Sequence, residues 1–495
     1  MPRYELDEVL HGRSLVIASN RGPVTFHQED SGELTPQRGA GGLVTALTHV
    51  MKRAPGLWVA SAMSAGDREM VRRQGDEHLT ISNEEGDLRI RYLPFDRETF
   101  DRYYNRISNS MMWFLQHNMW NLPMQPRFSS ETIDAWHCYQ KVNERFAHVL
   151  AEEISGMVAT APVMLHDYHL MLVAGYLRKL VPEAFTYHFT HSPWCQPEMM
   201  RILPGRIAEE TLEGMLANDL LGFQSSRWAN NFMWCCKELL GAGVDFDNGK
   251  VEYGNAETVI RSYPISIDLE YIDALAHSAE ANRHLAWLER VLSGRKLILR
   301  IDRLELSKNV IRGFMAYAQM LRTHPEWSGR VVHVALLYPS RRGLSEYRAY
   351  EAEVMDAYDR INDDLGTDDW QPIVLLNQDD YVRALACSRR YDVLMVNPII
   401  DGMNLVAKEG PAVNEVDGVL VLSKNAGAWF ELGHAAIGVN PYDVSEMAEA
   451  LHSGLIMDPA ERKKMSEVLR GVVKRNTPSK WVWHQLRDIR RLHES

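Results

Sequence analysis

The chain has 495 residues, with 54 lysines and arginines against 66 aspartates and glutamates, a formal charge of −12. That balance argues against a nucleic-acid-binding protein, which presents a basic face. At 45% hydrophobic, 24% charged and 9% aromatic residues, the composition excludes a disordered or fibrous chain, and the length fits two large domains or three ordinary ones.

The first fourteen residues, MPRYELDEVLHGRS, carry acids where a secretory leader needs a basic and then an apolar stretch. No apolar run reaches the ~18 residues of a membrane span, so a soluble, cytoplasmic protein is expected. Five cysteines (138, 195, 235, 236 and 387) form no C-x-x-C pair and support neither a disulfide framework nor a zinc site.

A β-rich apolar run over 14–19 opens the series of predicted elements. It leads into Ser19-Asn20-Arg21-Gly22-Pro23, and then Arg38-Gly39-Ala40-Gly41-Gly42-Leu43 precedes a helical pattern at 44–52. A glycine pair ahead of a helix lets backbone amides approach an anion, although such a pair is also an ordinary turn. The spacing matches neither G-x-G-x-x-G nor the P-loop. Next come a strand at 163–165, which ends in His166-Asp167-Tyr168-His169, a helix at 171–179, and a strand at 186–190. Pro193 stops that last strand and leaves His191 at its rim, where a histidine facing a cleft and a satisfied core histidine both remain open.

Pro264 punctuates the chain before a charged helical stretch, and strands at 297–301, 331–337, 393–396 and 419–422 follow, with a helix at 310–321. This alternation predicts an α/β fold of two Rossmann-like doubly wound domains facing across a cleft: 1–262, 263–475, and a C-terminal helix over 476–495 that crosses back to the first. Past the strand at 297–301, Arg303 and Lys308 can both reach a diphosphate, unless they are merely solvated loop cations. Arg341 and Arg342 form a second strand-end pair. In Asp401-Gly-Met403-Asn404-Leu405-Val406-Ala-Lys-Glu409, a helix starting near Asn404 offers bare N–H groups to phosphate, with Glu409 one turn in for ribose hydroxyls. Asp245-Phe-Asp247 spells D-x-D but lies in a polar stretch that reads as a turn.

Taken in order, SNR, GGL, YYN with Trp113, HDYHL, H-x-P, LLGFQ, RL-x-x-SK, SRRG, DGMNLVAKE and NPYD resemble the trehalose-6-phosphate synthase family of retaining GT-B glycosyltransferases over most of the chain. The resemblance implies donor binding by Gly41, Gly42, Arg303, Lys308, Met403, Asn404, Leu405, Val406 and Glu409. Arg303, Lys308, Asp401, His191 and Asp167 would be catalytic, with Asp401 and His191 gripping the transferred sugar. Arg21, Tyr104, Trp113 and Arg342 would clamp the acceptor phosphate, with Asp167 and His169 beside the acceptor sugar. It implies a nucleoside-diphosphate glucose donor (UDP, GDP or ADP), a sugar-phosphate acceptor such as glucose 6-phosphate, no metal and no cofactor. Oligomeric state stays open.

The chain departs from the family pattern at several positions. Trp58-Val-Ala-Ser61 replaces W-x-G-W, Glu305, Leu306 and Asn309 replace D, Y and G of R-L-D-Y-S-K-G, and Ile400 stands where an arginine is usual. The segment after His191 reads Ser-Pro-Trp-Cys-Gln-Pro in place of I-P-F-P-x-P. Such departures are similar to those of glucosylglycerol-phosphate synthases and cyclitol-coupling pseudoglycosyltransferases, and a sugar-phosphate sensor without turnover is a third reading.

Overall fold

The computed structural model describes residues 14–29, 31–38, 47, 56–75, 78–83, 86–157 and 161–493. It divides into two compact units, the first made of Met1–Pro264 with Pro478–Ser495 and the second of Ile265–Thr477. Of the predicted helix over 44–52 only Leu47 is described, as helical and buried, and the glycine pair Gly41-Gly42 lies outside the described residues.

In the first unit the strands are β1 (Leu15–Arg21), β2 (Val24–Gln28), β3 (Leu34–Arg38), β4 (Gly56–Ser61), β5 (Leu79–Asn83), β6 (Gly86–Leu93), β7 (Val163–His166), β8 (Thr186–Thr190), β9 (Leu220–Phe223), β10 (Gly243–Asp245), β11 (Lys250–Tyr253) and β12 (Ala256–Ser262). Ten of them form one sheet in the order β10-β11-β12-β9-β8-β7-β1-β4-β6-β5, while β2 and β3 make a separate hairpin. From β12 to β6 the pairing is parallel. The flanks β5 and β10–β11 pair antiparallel. From β1 the chain winds one way through β4 and β6, and from β7 the other way through β8 and β9. The order therefore reverses between β1 and β7, and in such sheets the connections at the carboxyl ends diverge and leave a crevice there.

The second unit repeats the arrangement with β13 (Lys296–Arg303), β14 (Val331–Tyr338), β15 (Ile373–Asn377), β16 (Val393–Val396), β17 (Val419–Ser423) and β18 (Ile437–Val439). All are parallel in the order β15-β14-β13-β16-β17-β18, with the reversal between β13 and β16. Central strands of both sheets are buried along their whole length, β1, β7, β16 and β17 nearly so on every side chain. This explains their continuous apolar runs, since helices cover both faces of a parallel sheet.

Aromatic residues fill the first unit's interior: Trp58, Trp136, Trp194 and Trp228 are fully buried. Helix Ser130–Ser155 turns Trp136, Tyr139, Val142, Asn143, Phe146 and Leu150 inward at three- and four-residue intervals. Helix Pro478–His493 belongs to this unit: Trp481 Nε1 donates to the Tyr263 carbonyl at 2.9 Å, and Tyr187 Oη donates to Gln485 Oε1 at 2.7 Å. Among the described residues no helix is long and apolar enough to cross a membrane. All five cysteines are buried and free.

Trp58, at the altered W-x-G-W position, has no solvent exposure, and its indole N–H donates to Ser19 Oγ at 2.8 Å. Replacing it with Ala removes a large buried side chain next to β1 and should destabilise the first unit by about 3–5 kcal/mol. Urea denaturation checks this, and an unchanged midpoint refutes it.

Candidate functional site

In the second unit the functional side chains stand at the carboxyl edge of β13 and β16, the two strands flanking the reversal. Arg303 is the last residue of β13, two residues beyond the predicted strand end, because Arg303 still pairs with Tyr338. After it the chain makes a tight turn at Leu306–Lys308 and passes through Asn309, whose φ of 59° is left-handed, before helix Val310–Thr323. The family pattern has glycine at this position. Asparagine also tolerates it, and its Nδ2 donates to the carbonyls of Asn397 (3.1 Å) and Pro441 (2.7 Å).

Lys308 Nζ lies 2.5 Å from Asp401 Oδ2, with both side chains largely buried. Asn404 Nδ2 donates to the same carboxylate oxygen at 3.1 Å. The helix here starts at Val406, two residues past Asn404: Asn404 itself is left-handed (φ 82°), and its Oδ1 accepts from the Ala407 amide at 3.1 Å. A residue at positive φ cannot continue a helix, so the first turn begins one residue after Leu405. The amides of Leu405 and Val406 precede the helix's own hydrogen bonds, and the positive end of the helix dipole lies beside them. Met403 is buried, and its carbonyl accepts from the Ala428 amide. Gly402 lies so close to Gly427 that a Cβ at 427 would meet the Gly402 carbonyl oxygen at 1.8 Å. The segment's path thus requires glycine at 427.

Glu305 has no solvent exposure and lies between two arginines: Arg303 Nη1 is 3.0 Å and Arg341 Nη1 2.6 Å from Oε1. Ser340 Oγ donates to the same oxygen at 2.8 Å. Burial pushes this carboxyl up, but the arginines and Lys308 outweigh it and hold it at about 2. Arg303 keeps 38% of its side chain exposed. Glu409 behaves oppositely: burial pushes it up to about 7, although the Tyr381 hydroxyl donates to it at 3.0 Å. Arg342, the predicted fourth member of the phosphate clamp, pairs with Glu351 at 2.8 Å on the surface of the second unit.

The other predicted residues lie in the first unit. Arg21 is exposed at the end of β1, where a register shift between Ser19 and Arg21 turns the strand. Asp167, just past β7, has a φ of 69°, and its Oδ1 accepts from the amides of His191 (3.1 Å) and Ser192 (3.4 Å). The predicted sugar-side carboxylate thus also holds the turn after β8. The His169 ring lies against Tyr104 (centroids 5.8 Å apart, 17°) and Tyr168 (4.1 Å, 30°). Trp113 packs on His117 and Tyr168 at 3.7 and 5.5 Å. Tyr104 lies in an eleven-residue π-helix, Arg102–Met112, and Trp113 immediately follows it. Asp245, of the D-x-D triplet, accepts from the amides of Asp247 and Asn248, so its carboxylate closes a turn.

Sequence reasoning missed Arg300, Asn397, Glu305 and Gln224. Arg300 would have been found by asking which polar residues interrupt an otherwise buried strand run, and Asn397 by asking which polar residue follows one directly.

Two doubly wound sheets, parallel through their central strands and each with polar groups at its reversal, and a cation pair beside a helix start in the second, fit a GT-B glycosyltransferase, the class to which similarity to known proteins assigns the chain. The chain belongs to glycosyltransferase family 20, whose model matches residues 13–491. It is 32% identical over 493 residues to the Schizosaccharomyces pombe protein named alpha,alpha-trehalose-phosphate synthase [UDP-forming], covering 97% of this chain and 91% of that one. An E. coli trehalose-6-phosphate structure bound with UDP-2-fluoro glucose superposes with a TM-score of 0.83 at 29% identity, covering 96% of this chain and 99% of that one. The Burkholderia xenovorans alpha,alpha-trehalose-phosphate synthase (UDP-forming) in complex with glucose-6-phosphate gives 0.81 at 26% identity, covering 96% and 100%.

Glu305→Gln leaves two arginines without their shared buried counter-charge and should destabilise the second unit by about 3–5 kcal/mol at pH 7. The folded carboxyl titrates below its ordinary value. Its contribution is therefore fully present above about pH 4.5 and is lost as pH falls toward 2. The difference between wild type and variant should accordingly shrink between pH 7 and pH 3.5 in urea titrations, and a pH-independent difference contradicts the assignment.

Proposed function

We propose that this glycosyltransferase moves glucose from UDP-glucose to the anomeric hydroxyl of glucose 6-phosphate, releasing UDP and forming α,α-trehalose 6-phosphate with retention at the donor carbon. The observation that carries this reading is the cluster at the end of β13 and β16. Arg303, Arg341 and Lys308 stand against Glu305 and Asp401, a net positive charge, beside the helix start at Val406. A diphosphate leaving group is stabilised by such a cluster, which acts without reorganising when negative charge develops on the departing oxygen. The names of the relatives support uracil as the donor base and glucose 6-phosphate as the acceptor.

In this reading the bond from the donor's anomeric carbon to the β-phosphate oxygen breaks, and a bond to the acceptor oxygen forms on the same face. The acceptor proton passes to the departing phosphate oxygen, so no enzymic nucleophile is required. Arg303 and Lys308 hold the diphosphate; Asp401, which pairs with Lys308, accepts from a sugar hydroxyl. The amides of Gly41, Gly42, Leu405 and Val406 add N–H contacts, with Met403 and Asn404 shaping the turn and Glu409 accepting from the ribose. Arg21, Tyr104, Trp113 and Arg342 hold the acceptor phosphate, Arg342 by exchanging Glu351 for it. Asp167 and His169 line the acceptor sugar, and His191 contacts the transferred glucose. A cytoplasmic location goes with this reading, since all five cysteines are buried and free.

Purified protein incubated with UDP-, GDP- or ADP-glucose and glucose 6-phosphate should give α,α-trehalose 6-phosphate, fastest with UDP-glucose, as read by mass spectrometry and NMR. Product only with glycerol 3-phosphate or a phosphorylated cyclitol would overturn the acceptor, a result that Ile400 in place of an arginine makes worth testing. Arg303→Ala should lower kcat/KM by roughly 100-fold or more with the fold intact; near-normal turnover refutes its role. With fixed cations in place of a metal, activity should survive EDTA.

A further inference from the structure

The LLGFQ motif ends in Gln224, for which the reading above has no role. Strands β8 and β9 are parallel neighbours with Thr190 opposite Phe223, so His191 and Gln224 are the first residues past the same sheet edge. Gln224 Nε2 lies 3.2 Å from His191 Nδ1. A carboxamide nitrogen can only donate, so Nδ1 must present its lone pair, and the single proton of the neutral ring sits on Nε2. His191 Nε2 is out of solvent and has no hydrogen-bond partner among the described residues. A buried donor without a protein acceptor costs free energy, so this one is kept open for something that binds.

We propose that Gln224 is a positioning residue that locks His191 in its Nε2–H tautomer, so that the ring offers a sugar hydroxyl a hydrogen-bond donor and not an acceptor. The proposal rests on the reading that His191 contacts the transferred glucose. An imidazolium would set an N–H of His191 against the N–H of Gln224, and burial already pushes the ring down to about 3. The neighbouring titratable groups do not oppose this. His166, with ring centroids 5.6 Å away, and His188 on β8 are buried and shifted toward the neutral form, and the Asp167 carboxylate is engaged by the His191 and Ser192 amides. Phe189 and Trp481 supply only aromatic faces. A neutral ring also avoids setting a full positive charge near the sugar carbon that becomes electron-deficient during transfer.

Gln224→Glu replaces the donor by an acceptor of the same shape and should turn the tautomer round, while Gln224→Leu only removes the contact. In long-range 1H–15N spectra of the ligand-free enzyme, with the His191 signals assigned by their loss in His191→Asn, wild type should show the Nε2–H tautomer. Gln224→Glu should show Nδ1–H, or imidazolium at lower pH. Transfer by Gln224→Glu should fall about ten-fold or more in kcat/KM for the nucleotide sugar at pH 8, then recover as the pH is lowered and the imidazolium regains its Nε2–H. Gln224→Leu should show a loss without that recovery. An Nδ1–H tautomer in wild type, or the same pH-independent loss in both variants, overturns the proposal. If wild type transfers no sugar from any donor, the functional reading fails instead, and the spectra still decide what Gln224 does.

Discussion

The candidate donor site stands on a charge that never meets solvent. Arg300 lies inside β13 with no exposure, and its Nη2 donates to the Lys308 carbonyl at 3.2 Å and to Asn397 Oδ1. Those two acceptors belong to the segments leaving β13 and β16, where the strand order reverses. Diverging connections strand backbone carbonyls that no ladder can satisfy, and a buried carbonyl without a partner is costly. Arg300 and Asn309 together supply the missing donors and tie the Lys308 turn, the Asn397 turn and Pro441 into one piece. Space above it is tight: a Cβ at Gly313, in the helix that follows Lys308, would lie 3.1 Å from the guanidinium and crowd it by a few tenths of an ångström. Asp302, 3.5 Å away, is the strut's counter-charge, and burial raises its own carboxyl to about 6.

The first unit meets the same difficulty with the opposite charge. Next to its reversal, the groups that need acceptors are amides of the turn after β8, and the carboxylate of Asp167, just past the neighbouring β7, accepts from two of them. The left-handed backbone at Asp167 aims its side chain along the sheet edge instead of out of it. On the β1 side, Asn20 Oδ1 accepts from Tyr103 Oη (3.0 Å) and Ser61 Oγ (3.1 Å), so the turn carrying Arg21 is fixed by neutral groups. A guanidinium under the cation cluster and a carboxylate under the histidines therefore do related work: each holds open a polar edge that a ligand can complete. The cost is rigidity bought with buried polar groups, which fold only if every partner is in place.

How far the sequence revealed this depends on the element. Seven parallel strands show as apolar runs: β8 and β16 fall where those runs do, and β1, β7, β13, β14 and β17 differ from them by one to three residues at their ends, whereas the parallel strands β4, β6, β9, β12, β15 and β18 were not read from the sequence. The antiparallel flanks β5, β10 and β11 were illegible, being short and polar at the sheet's edges. Arg300 was hidden by its own strand: in Lys296–Arg303 charged and apolar residues alternate toward the end, a pattern that normally marks a solvated face, yet here both faces are covered. The π-helix carrying Tyr104 has no sequence signal distinct from an α-helix. Motif residues were legible through their resemblance to a family, and that resemblance says which residues matter without saying which scaffold holds them.

The departures from the family pattern test whether the scaffold argument has content. If the cluster at β13 and β16 is held by charge and hydrogen-bond balance, substitutions there must keep that balance by other means. Glu305 is a carboxylate in place of a carboxylate, and its Oε1 gathers Arg303, Arg341 and Ser340 at once. Asn309 occupies a left-handed position that a glycine would fill without strain, and repays the difference with two hydrogen bonds to the neighbouring turns. Ile400 differs in kind: it removes a cation and is 8% exposed, beside Asp401 and outside the Arg303, Arg341 and Glu305 group. Glu305 and Asn309 thus keep the balance in place, while Ile400 adds no partner to the neighbouring Asp401, whose carboxylate is held by Lys308 and Asn404.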